Sequence, residues 1–240
     1  MPSITETLFA LGLGGRVVGV TQNCDYPPEA KKIEKIGRET VNLEKAVSLK
    51  PDLILLLEDA QKKDIERLKK FGLPVHSINP HNVAEVLGSI ADIGNITGAT
   101  AEAGRLVQDI KGRLKRIEEA NRWRWPRKIF VVVGIHPLIS AGRGTFISDV
   151  VKVAGGRNLA DGVVGAYPHY SFEELLRQDP YAIVFPEGLI TSSEVKQSDK
   201  WGRLSAVKND RMLFIDPDIL FRPGPRVILA AEKIARFMLK

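Results

Sequence analysis

Apolar runs alternate with amphipathic stretches along most of the chain, and this pattern predicts strands alternating with helices. The most apolar runs, Leu53 to Leu57 and Ile129 to Val133, are five residues each, far below the roughly 20 residues that a membrane-spanning helix needs. They are predicted to be buried strands. Because the strands are nearly all apolar and are separated by helical patterns, the fold class is α/β with a mostly parallel sheet covered on both faces.

The predicted elements form two sets around one long helix. In the first set, a capping box over Ser3-Ile-Thr-Glu6 starts a helix that Gly12 ends. The elements that follow are strand Arg16 to Val20, a turn and short helix from Asp25 to Glu29, helix Asn42 to Leu49, strand Asp52 to Leu57, helix Ala60 to Phe71, strand Pro74 to Ile78 and helix Val83 to Ile96. A Ser or Thr followed three residues later by Glu marks a helix start.

The second set follows a helical stripe that runs from Thr100 to about Arg122, roughly 30 Å at 1.5 Å per residue. Its elements are strand Lys128 to Val133, a glycine-rich turn over 141–144, helix Phe146 to Ala154, helix Phe172 to Arg177, strand Tyr181 to Phe185, strand Met212 to Asp216 and helix Arg226 to Leu239. We therefore predict an N-terminal lobe over 1–99, one continuous bridging helix over 100–127 and a C-terminal lobe over 128–240.

An internal echo supports two related lobes. The segment Asn42–Leu55 aligns without a gap on Ser171–Val184, so that an N-cap residue, a Glu two positions later, a proline and a buried strand recur in the same register. Each of Glu44 and Glu173 is explained alone as a first-turn carboxylate that stabilises its helix by about 0.3–1 kcal/mol. The shared register is more natural if both lobes present equivalent surfaces.

Composition narrows the class of protein. With 44% apolar and 27% charged residues among 240, the chain can bury a core, which excludes disordered and collagen-like classes. The net charge of +6 comes from basic and acidic residues interleaved along helices, which indicates solvated faces. The basic and aromatic segment Asn121–Lys128 is interpreted as a helix end and linker. The single Cys24 excludes an internal disulfide and a multi-cysteine metal site.

Catalytic and metal chemistry finds little support in the residue pattern. No Ser/His/Asp set and no acid–base pair of carboxylates is recognisable, so we predict no enzymatic reaction, no catalytic residue, no resident cofactor and no protein metal site. The turn from Gly142 to Thr145 lacks the ending of a P-loop. Three of the four histidines, His76, His81 and His136, are interpreted as structural. The fourth, His169, lies in the turn before the Glu173 helix, and an axial or polar ligand contact is predicted for it.

Several segments together resemble the helical-backbone substrate-binding proteins of ABC importers, a family that handles ferric siderophores, haem and cobalamin. The resemblance covers essentially the whole chain and is closest to the cobalamin-binding branch. It rests on residues 1–12, Val18-Gly-Val-Thr21 with Cys24–Ala30, Asn42-Leu-Glu44 with Leu49–Leu53, Ala154–Asn158 and Arg222-Pro-Gly-Pro-Arg226.

The resemblance implies a fold and a set of roles. The fold is two Rossmann-like α/β lobes joined by a single long backbone helix, with the ligand cleft between them. Glu44 and Glu173 would dock onto arginines of the membrane permease. Ligand contacts are expected from both lobes, and Tyr26, Tyr167, His169 and Phe221 should line one concavity. The branch's aromatic clamp maps near Asn23, Arg38 or Glu39, Leu57, Ile139 and Tyr167, of which only Tyr167 is aromatic here.

Three expectations remain open at this point. Tyr26 is either a ligand contact or a packed turn tyrosine. Family members carry an export signal and a first strand before the Pro-Ser-x-Thr-Glu stretch, whereas Met1 to Gly15 shows no signal peptide. The expectation is therefore either a cytoplasmic protein or the mature part of a precursor. The N-terminal sheet is therefore predicted to be one strand short, or completed by a neighbouring chain.

The first functional hypothesis is an extracytoplasmic receptor, periplasmic or anchored at the cell surface, that captures a corrinoid and delivers it to an ABC permease with its ATPase. It would not bind nucleic acid. The alternatives are a ferric-siderophore or haem receptor of the same family, and a cytoplasmic corrinoid carrier or α/β enzyme.

Overall fold

The computed structural model describes residues 1–38 and 40–239. The chain divides into two compact α/β lobes, here called unit 1 and unit 2. Unit 1 comprises Met1–Pro80, Ala84–Asp109 and Pro223–Pro225, and unit 2 comprises His81–Val83, Ile110–Arg222 and the residues from Arg226 onward. The predicted α/β class is confirmed.

Unit 1 contains a parallel two-stranded sheet flanked by helices. Its elements are α1 (Pro2–Ala10), α2 (Leu43–Ser48), β1 (Ile54–Leu57), α3 (Glu58–Lys70), β2 (Val75–Ile78), most of α4 (Val83–Thr97) and the first part of α5 (Thr100–Asn121). Short 3₁₀ turns cover Gly14–Arg16 and Pro28–Lys32. Strand β1 pairs with β2 from Ile54 opposite Val75 to Leu57 opposite Ile78.

The amphipathic helix α3 closes the core of unit 1. Ile65 and Leu68 on its apolar face pack against Ile54 and Leu56 of β1, together with Val41 and Ala46. The carboxylate of the buried Asp64 accepts hydrogen bonds from the Val41 amide (2.9 Å) and the Arg67 guanidinium (2.8 Å). This polar contact fixes the chain that enters α2.

Unit 2 is built on a five-stranded sheet. Its elements are the rest of α5, β3 (Arg127–Ile135), β4 (Leu138–Ser140), α6 (Phe146–Val153), β5 (Gly156–Asn158), α7 (Phe172–Gln178), β6 (Ala182–Pro186), α8 (Ser192–Gln197), α9 (Ser205–Lys208), β7 (Met212–Ile215), α10 (Pro217–Leu220) and α11 (Val227–Met238). The strand order is β4-β3-β6-β7, with β5 paired to the start of β3. Only β4 runs antiparallel to its neighbour.

Aromatic side chains fill one face of this sheet. Trp201 makes edge contacts with Phe172 and Phe185 at centroid distances of 4.9 and 5.2 Å, and Phe130 makes a similar contact with Tyr170 at 4.9 Å. These rings belong to a buried core built on β3 and β6. The central strand β6 is buried at every position, as its uninterrupted apolar sequence predicts.

Three local predictions in unit 1 and α5 are wrong in detail. The capping box at Ser3 does not form: Pro2, pre-organised for the first helical position, starts α1 two residues earlier than a Ser3 cap would, and Ser3 is buried inside the helix. The strand over 16–20 is reduced to a single bridge between Val20 and Lys35. Helix α5 ends at Asn121, short of the predicted Arg127, because Asn121 turns its side-chain amide onto the Ile117 and Ala154 carbonyls.

A cavity of about 450 Å³ in unit 1 lies between the Val17–Val20 segment and Leu53–Leu56, and it also touches Ile4 of α1. Strand β1 pairs with β2 along one edge, and within the described residues no strand pairs with its other edge. The prediction that this sheet is one strand short, or is completed by a neighbouring chain, stays a prediction. So do the lobe boundaries at residues 99 and 128, since the division into units falls inside α5.

Candidate ligand-binding site

A short antiparallel segment next to β4 brings three predicted ligand residues together. His169 forms a bridge opposite Ile139 of β4. Cross-strand partners share one face of a sheet, and side chains two positions apart in an extended segment point the same way. Ile139, Tyr167 and His169 therefore lie on one face, which we call the β4 strip.

The β4 strip is fixed by the backbone and by a strict alternation of burial. The Tyr170 amide donates to the Leu138 carbonyl (2.8 Å), and the Ser140 amide donates to the Pro168 carbonyl (3.2 Å). Pro168 and Tyr170 are buried, whereas Tyr167 and His169 are exposed. The alternation anchors the segment in the core through one set of side chains and presents the other set to solvent.

A close backbone approach supports the strip from behind. The Gly142 amide donates to the Ala166 carbonyl (2.7 Å), and a Cβ at Gly142 would lie 2.4 Å from the Gly165 carbonyl oxygen. Only glycine fits that position. The turn continues into Thr145, which caps α6 by accepting from the Ser148 amide. The glycine-rich turn thus closes on its own chain and has a structural role.

Desolvation raises the pKa of the Tyr167 phenol, although about half of the side chain (54%) is exposed. The pKa of Tyr170 is raised too, first by burial and then by the nearby Glu174 carboxylate. Both phenols are therefore neutral at physiological pH. A neutral ring with an exposed face is suited to apolar contact with a large planar ligand.

The predicted ligand residues of unit 1 follow the ends of extended segments. Asn23 and Tyr26 are exposed in the loop after Val20, and Leu57 is half-buried at the carboxyl end of β1. The Lys35 ammonium holds that loop by donating to the Cys24 and Ala30 carbonyls, both at 3.0 Å. Tyr26 is thus an exposed loop tyrosine, and both of its interpretations stay open.

Phe221 is half-buried directly after α10. The structure assigns Tyr26 to unit 1 and Tyr167, His169 and Phe221 to unit 2, so a single concavity formed by all four stays a prediction. None of the four lines the cavity in unit 1. Arg38 is exposed after the Lys35 bridge, and Glu39 lies outside the described residues.

Sequence reasoning missed one exposed apolar residue beside the β4 strip. Val164 is almost fully exposed in the loop that leads into Tyr167. It lies between Gly162 and Gly165, and the latter adopts a left-handed conformation (φ 105°). The Val163-Val164 pair between these two glycines was the available signal.

The two predicted docking glutamates have closely matching local environments. Asn42 caps α2 by accepting from the Lys45 amide, and Ser171 caps α7 by accepting from the Glu174 amide. Glu44 and Glu173 are both exposed in the first turn of these helices. Each helix is followed by a left-handed residue directly before a proline and a buried strand, namely Lys50 (φ 45°) and Asp179 (φ 40°). The internal echo is therefore structural as well as sequential.

Among the remaining histidines, His76 has a charged neighbour. His76 of β2 lies 2.6 Å from the Asp92 carboxylate of α4, a partner that supports its structural interpretation. Among the described residues, no group of three or more His, Cys, Asp or Glu side chains is placed to hold a metal ion.

Of the helices in the described part of the chain, none combines the length and apolar character required to cross a bilayer.

Comparison with known proteins decides the family. The model of the family described as "Periplasmic binding protein" matches residues 1–219. The chain belongs to this family. A relative in Bacillus subtilis, the uncharacterized ABC transporter substrate-binding lipoprotein YvrC, is 37% identical over 98% of this chain and 77% of its own length. The resemblance inferred from the sequence is confirmed.

Solved and curated relatives differ in what they bind. The vitamin B12-binding protein of Vibrio cholerae is 29% identical over 99% of this chain and 86% of its own length. The crystal structure of periplasmic vitamin B12 binding protein BtuF of Vibrio cholerae matches with a TM-score of 0.86 at 26% identity, covering 100% of this chain and 94% of that one. A periplasmic heme binding protein from Pseudomonas aeruginosa matches with a TM-score of 0.83 at 25% identity, covering 98% and 90%. The chain is an ABC transporter substrate-binding protein of the group that includes cobalamin and haem binders.

Proposed function

We propose that this periplasmic binding protein captures a corrinoid, cobalamin-like ligand outside the cytoplasm and delivers it to an ABC permease. The observation that carries the proposal is the β4 strip, in which Tyr167, His169 and Ile139 share one outward face. The similarity to a vitamin B12-binding protein over 99% of the chain supports the ligand class. No catalytic step is part of this function.

The chemistry of the β4 strip matches a bulky macrocycle. Such ligands are held by a few rigid aromatic platforms with sparse polar contacts. Tyr167 supplies a neutral ring, Ile139 an aliphatic surface and His169 a ring nitrogen that can donate, accept or coordinate a metal. Asn23, Tyr26 and Leu57 in unit 1, with Phe221 in unit 2, are proposed as further contacts.

Haem is the second candidate, and the pairing of Tyr167 with His169 favours it. Imidazole and phenol are both side chains that ligate haem iron. In that case the iron of the transported ligand, which is cargo and no part of the protein, would take one of these groups as an axial ligand. A ferric siderophore offers no free axial position of this kind and would use the strip through packing alone.

Delivery is proposed to use Glu44 and Glu173. Both are exposed, and each occupies the same position in its lobe's capped helix. Two carboxylates presented in equivalent settings suit recognition by arginines of a two-fold symmetric permease, because charge-assisted pairs give orientation and speed of encounter. The extracytoplasmic location follows the relatives, of which one is a lipoprotein and another periplasmic.

Spectral titration of the purified protein with cyanocobalamin, haemin and a ferric hydroxamate siderophore tests the ligand class. Tight binding of cyanocobalamin with weak haemin binding is expected. Tyr167→Ala should weaken that binding about tenfold or more, consistent with the loss of one aromatic contact. Phe71→Ala removes an exposed aromatic residue of unit 1 outside the proposed site and serves as the matched control.

His169→Ala separates the two candidates. If haemin is the ligand, this variant changes the Soret band as well as the affinity, because an axial ligand is lost. If a corrinoid is bound by packing, affinity falls with little change in the corrinoid spectrum. Unchanged affinity for all three ligands in both Tyr167→Ala and His169→Ala would reject the β4 strip as the binding site.

A further inference from the structure

A cluster of cations and aromatic rings lies where the parallel strands of unit 2 begin. We call it the Trp–Arg patch. It consists of Arg122, Trp123, Arg124, Trp125, Arg127, Lys128, Tyr181 and Arg211. The basic and aromatic sequence after α5 supplies most of it, and the starts of β6 and β7 supply the rest. Sequence alone indicated only a helix end and linker.

The sheet holds half of the patch in place. Strands β3, β6 and β7 are parallel neighbours, so the residues that precede them meet at one edge. The Tyr181 amide donates to the Lys128 carbonyl (2.9 Å) and the Ile183 amide to the Arg211 carbonyl (3.0 Å). The Arg127 and Arg211 guanidiniums lie 3.9 and 4.3 Å from the Tyr181 ring centroid. Cation–π contacts thus position both guanidiniums.

The two tryptophans are the most unusual part of the patch. Trp123 and Trp125 are 87% and 92% exposed on the turn that follows α5, while the third tryptophan, Trp201, is buried in the core. The Arg122 guanidinium lies 5.1 Å from the Trp123 ring centroid. Large rings left in water forgo the free energy of burial, so two of them on one exposed turn indicate a partner that covers them.

The charge around the tryptophans is strongly positive. A shallow cavity of about 680 Å³ beside Trp125 is lined by four cations, and Asp179 is the one acidic residue among its lining residues. Asp179 already accepts a hydrogen bond from the Ser205 amide (2.9 Å). The partner must therefore offer several anionic oxygens together with an apolar layer for the indole rings.

We infer that the Trp–Arg patch binds the surface of an anionic phospholipid bilayer. Tryptophan rings prefer the headgroup level of a bilayer, where one end of the ring is apolar and the other is wet. Guanidiniums pair with phosphate oxygens through two hydrogen bonds, and clustered Lys and Arg are attracted to anionic lipids. The geometry combines both preferences on one short turn and one sheet edge.

A nucleic acid fits the patch less well. Binding of a single strand needs a basic groove that follows the backbone over several nucleotides. The Trp–Arg patch spans three neighbouring strands, about 10 Å at 4.8 Å between strands, and its tryptophans project from a turn. This shape suits insertion at a point on a surface.

The patch and the β4 strip lie at opposite ends of the same strand. Arg127 begins β3, whereas β4 pairs with its far end at Gly134 and Ile135. The separation along β3 is about 26 Å at 3.3 Å per residue. A bilayer contact at the patch leaves the β4 strip open to ligand, so membrane binding is independent of the ligand proposal.

Vesicle flotation and tryptophan fluorescence test the inference. The full chain is mixed with two kinds of vesicle. One kind is phosphatidylcholine alone, and the other contains roughly one-third phosphatidylglycerol, which makes its surface anionic. Binding to the anionic vesicles alone is expected, with a blue shift from Trp123 and Trp125 and a decline as salt is raised. Trp201, already buried, contributes a constant background.

Paired variants identify the contributing side chains. Trp123→Ala/Trp125→Ala and Arg124→Gln/Arg127→Gln should each reduce partitioning about tenfold or more. Lys62→Gln/Lys63→Gln, two exposed cations of α3, removes the same charge and should leave binding unchanged. Circular dichroism should match the unmodified chain for all three, since every substituted residue is exposed.

Three results would overturn the inference. Equal binding to neutral and anionic vesicles, or none to either, would remove the role of anionic lipid. Release from vesicles by inorganic phosphate at matched ionic strength would assign a site for the free anion. Equal loss of binding in the Lys62/Lys63 control would show a general charge effect.

Discussion

Arg113 of α5 and Glu232 of α11 form a two-pronged ion pair. The Nε atom of Arg113 lies 2.8 Å from one carboxylate oxygen of Glu232, and Nη2 lies 2.7 Å from the other. Only 24% and 28% of the two side chains are exposed. Hydrogen bonding from Arg113 is the largest cause that lowers the pKa of Glu232. The pair joins the final helix to the part of α5 that belongs to unit 2.

Replacing Glu232 by Gln should cost about 1.5–3 kcal/mol of unfolding free energy near neutral pH, the range for a hydrogen bond to a charged group. Because the pKa of Glu232 is lowered by folding, its contribution is present above the pKa of an unfolded carboxyl group. It is lost as the pH falls through the folded value. Urea unfolding near pH 7 and near pH 3 measures the difference between the two chains.

Glu102→Gln is the control, since Glu102 pairs with Arg105 on an exposed face of α5. It should change the unfolding free energy by only a few tenths of a kcal/mol. A difference between the Glu232→Gln and unmodified chains that stays constant across this pH range would contradict the ion-pair explanation.

Gly142→Ala should destabilise unit 2 by about 1–3 kcal/mol, the range for a forced overpacking. The new methyl group would meet the Gly165 carbonyl, so the segment that carries Tyr167 has to shift. Ligand affinity should therefore fall together with stability. Gly162→Ala adds the same methyl group with no atom within 4 Å and should leave both quantities nearly unchanged. Thermal melting and the ligand titration measure the pair.

Tyr167 should ionise at a higher pH than an unperturbed tyrosine, whose pKa is about 10. Because burial favours the neutral phenol, Tyr167 loses its proton at a higher pH in the folded lobe than in the unfolded chain. Stability linked to Tyr167 is thus fully present below about pH 10 and declines as the pH rises further. Difference absorbance between the unmodified chain and Tyr167→Phe records this ionisation. A midpoint below 10 would contradict the prediction.

Glu44→Arg/Glu173→Arg should abolish most transport in vesicles that contain the permease, while ligand affinity and melting temperature change little. The reason is that exposed first-turn carboxylates contribute little to stability, whereas reversed charge at a docking site repels arginines. Association of the single variants should weaken further as salt rises. Glu66→Arg/Glu118→Arg gives the same net charge from exposed helix positions as a control. Normal uptake by the first double variant would reject docking.

The sequence predicts the fold where local and tertiary preferences agree. Strand β6 is apolar at every position and buried at every position. The sequence register shared by Asn42 and Ser171 corresponds in the structure to two helices, each capped by that residue and each ending in the same way. Strand β4 was missed because Leu138–Ser140 is only three residues long and is stabilised by pairing with β3 and with His169. The failed strand over 16–20 shows the converse: an apolar run remains irregular when only one residue, Val20, finds a partner.

The candidate site was predictable in part. The sequence suggested a ligand role for Tyr167 through the resemblance and for His169 through its turn before α7, and both roles stay predictions. It could not show that Ile139 lies opposite His169, because that contact joins residues far apart in sequence. The Trp–Arg patch was interpreted as a linker because Tyr181 and Arg211, which complete it, precede β6 and β7 and lie far from residues 122–128 in the sequence. Pairing of Tyr181 with Lys128 and of Ile183 with Arg211 is what assembles it.

In the proposed ligand face, the side chains of residues 167–170 point alternately to solvent and to the core. Pro168 and Tyr170 are committed to the core, so substitutions at 167 and 169 can change what is bound while the fold is untouched. An insertion of one residue within this segment would instead exchange the two sets, burying an imidazole and exposing the core tyrosine. At this proposed site we therefore expect replaced side chains, and not a lengthened chain, to alter ligand specificity.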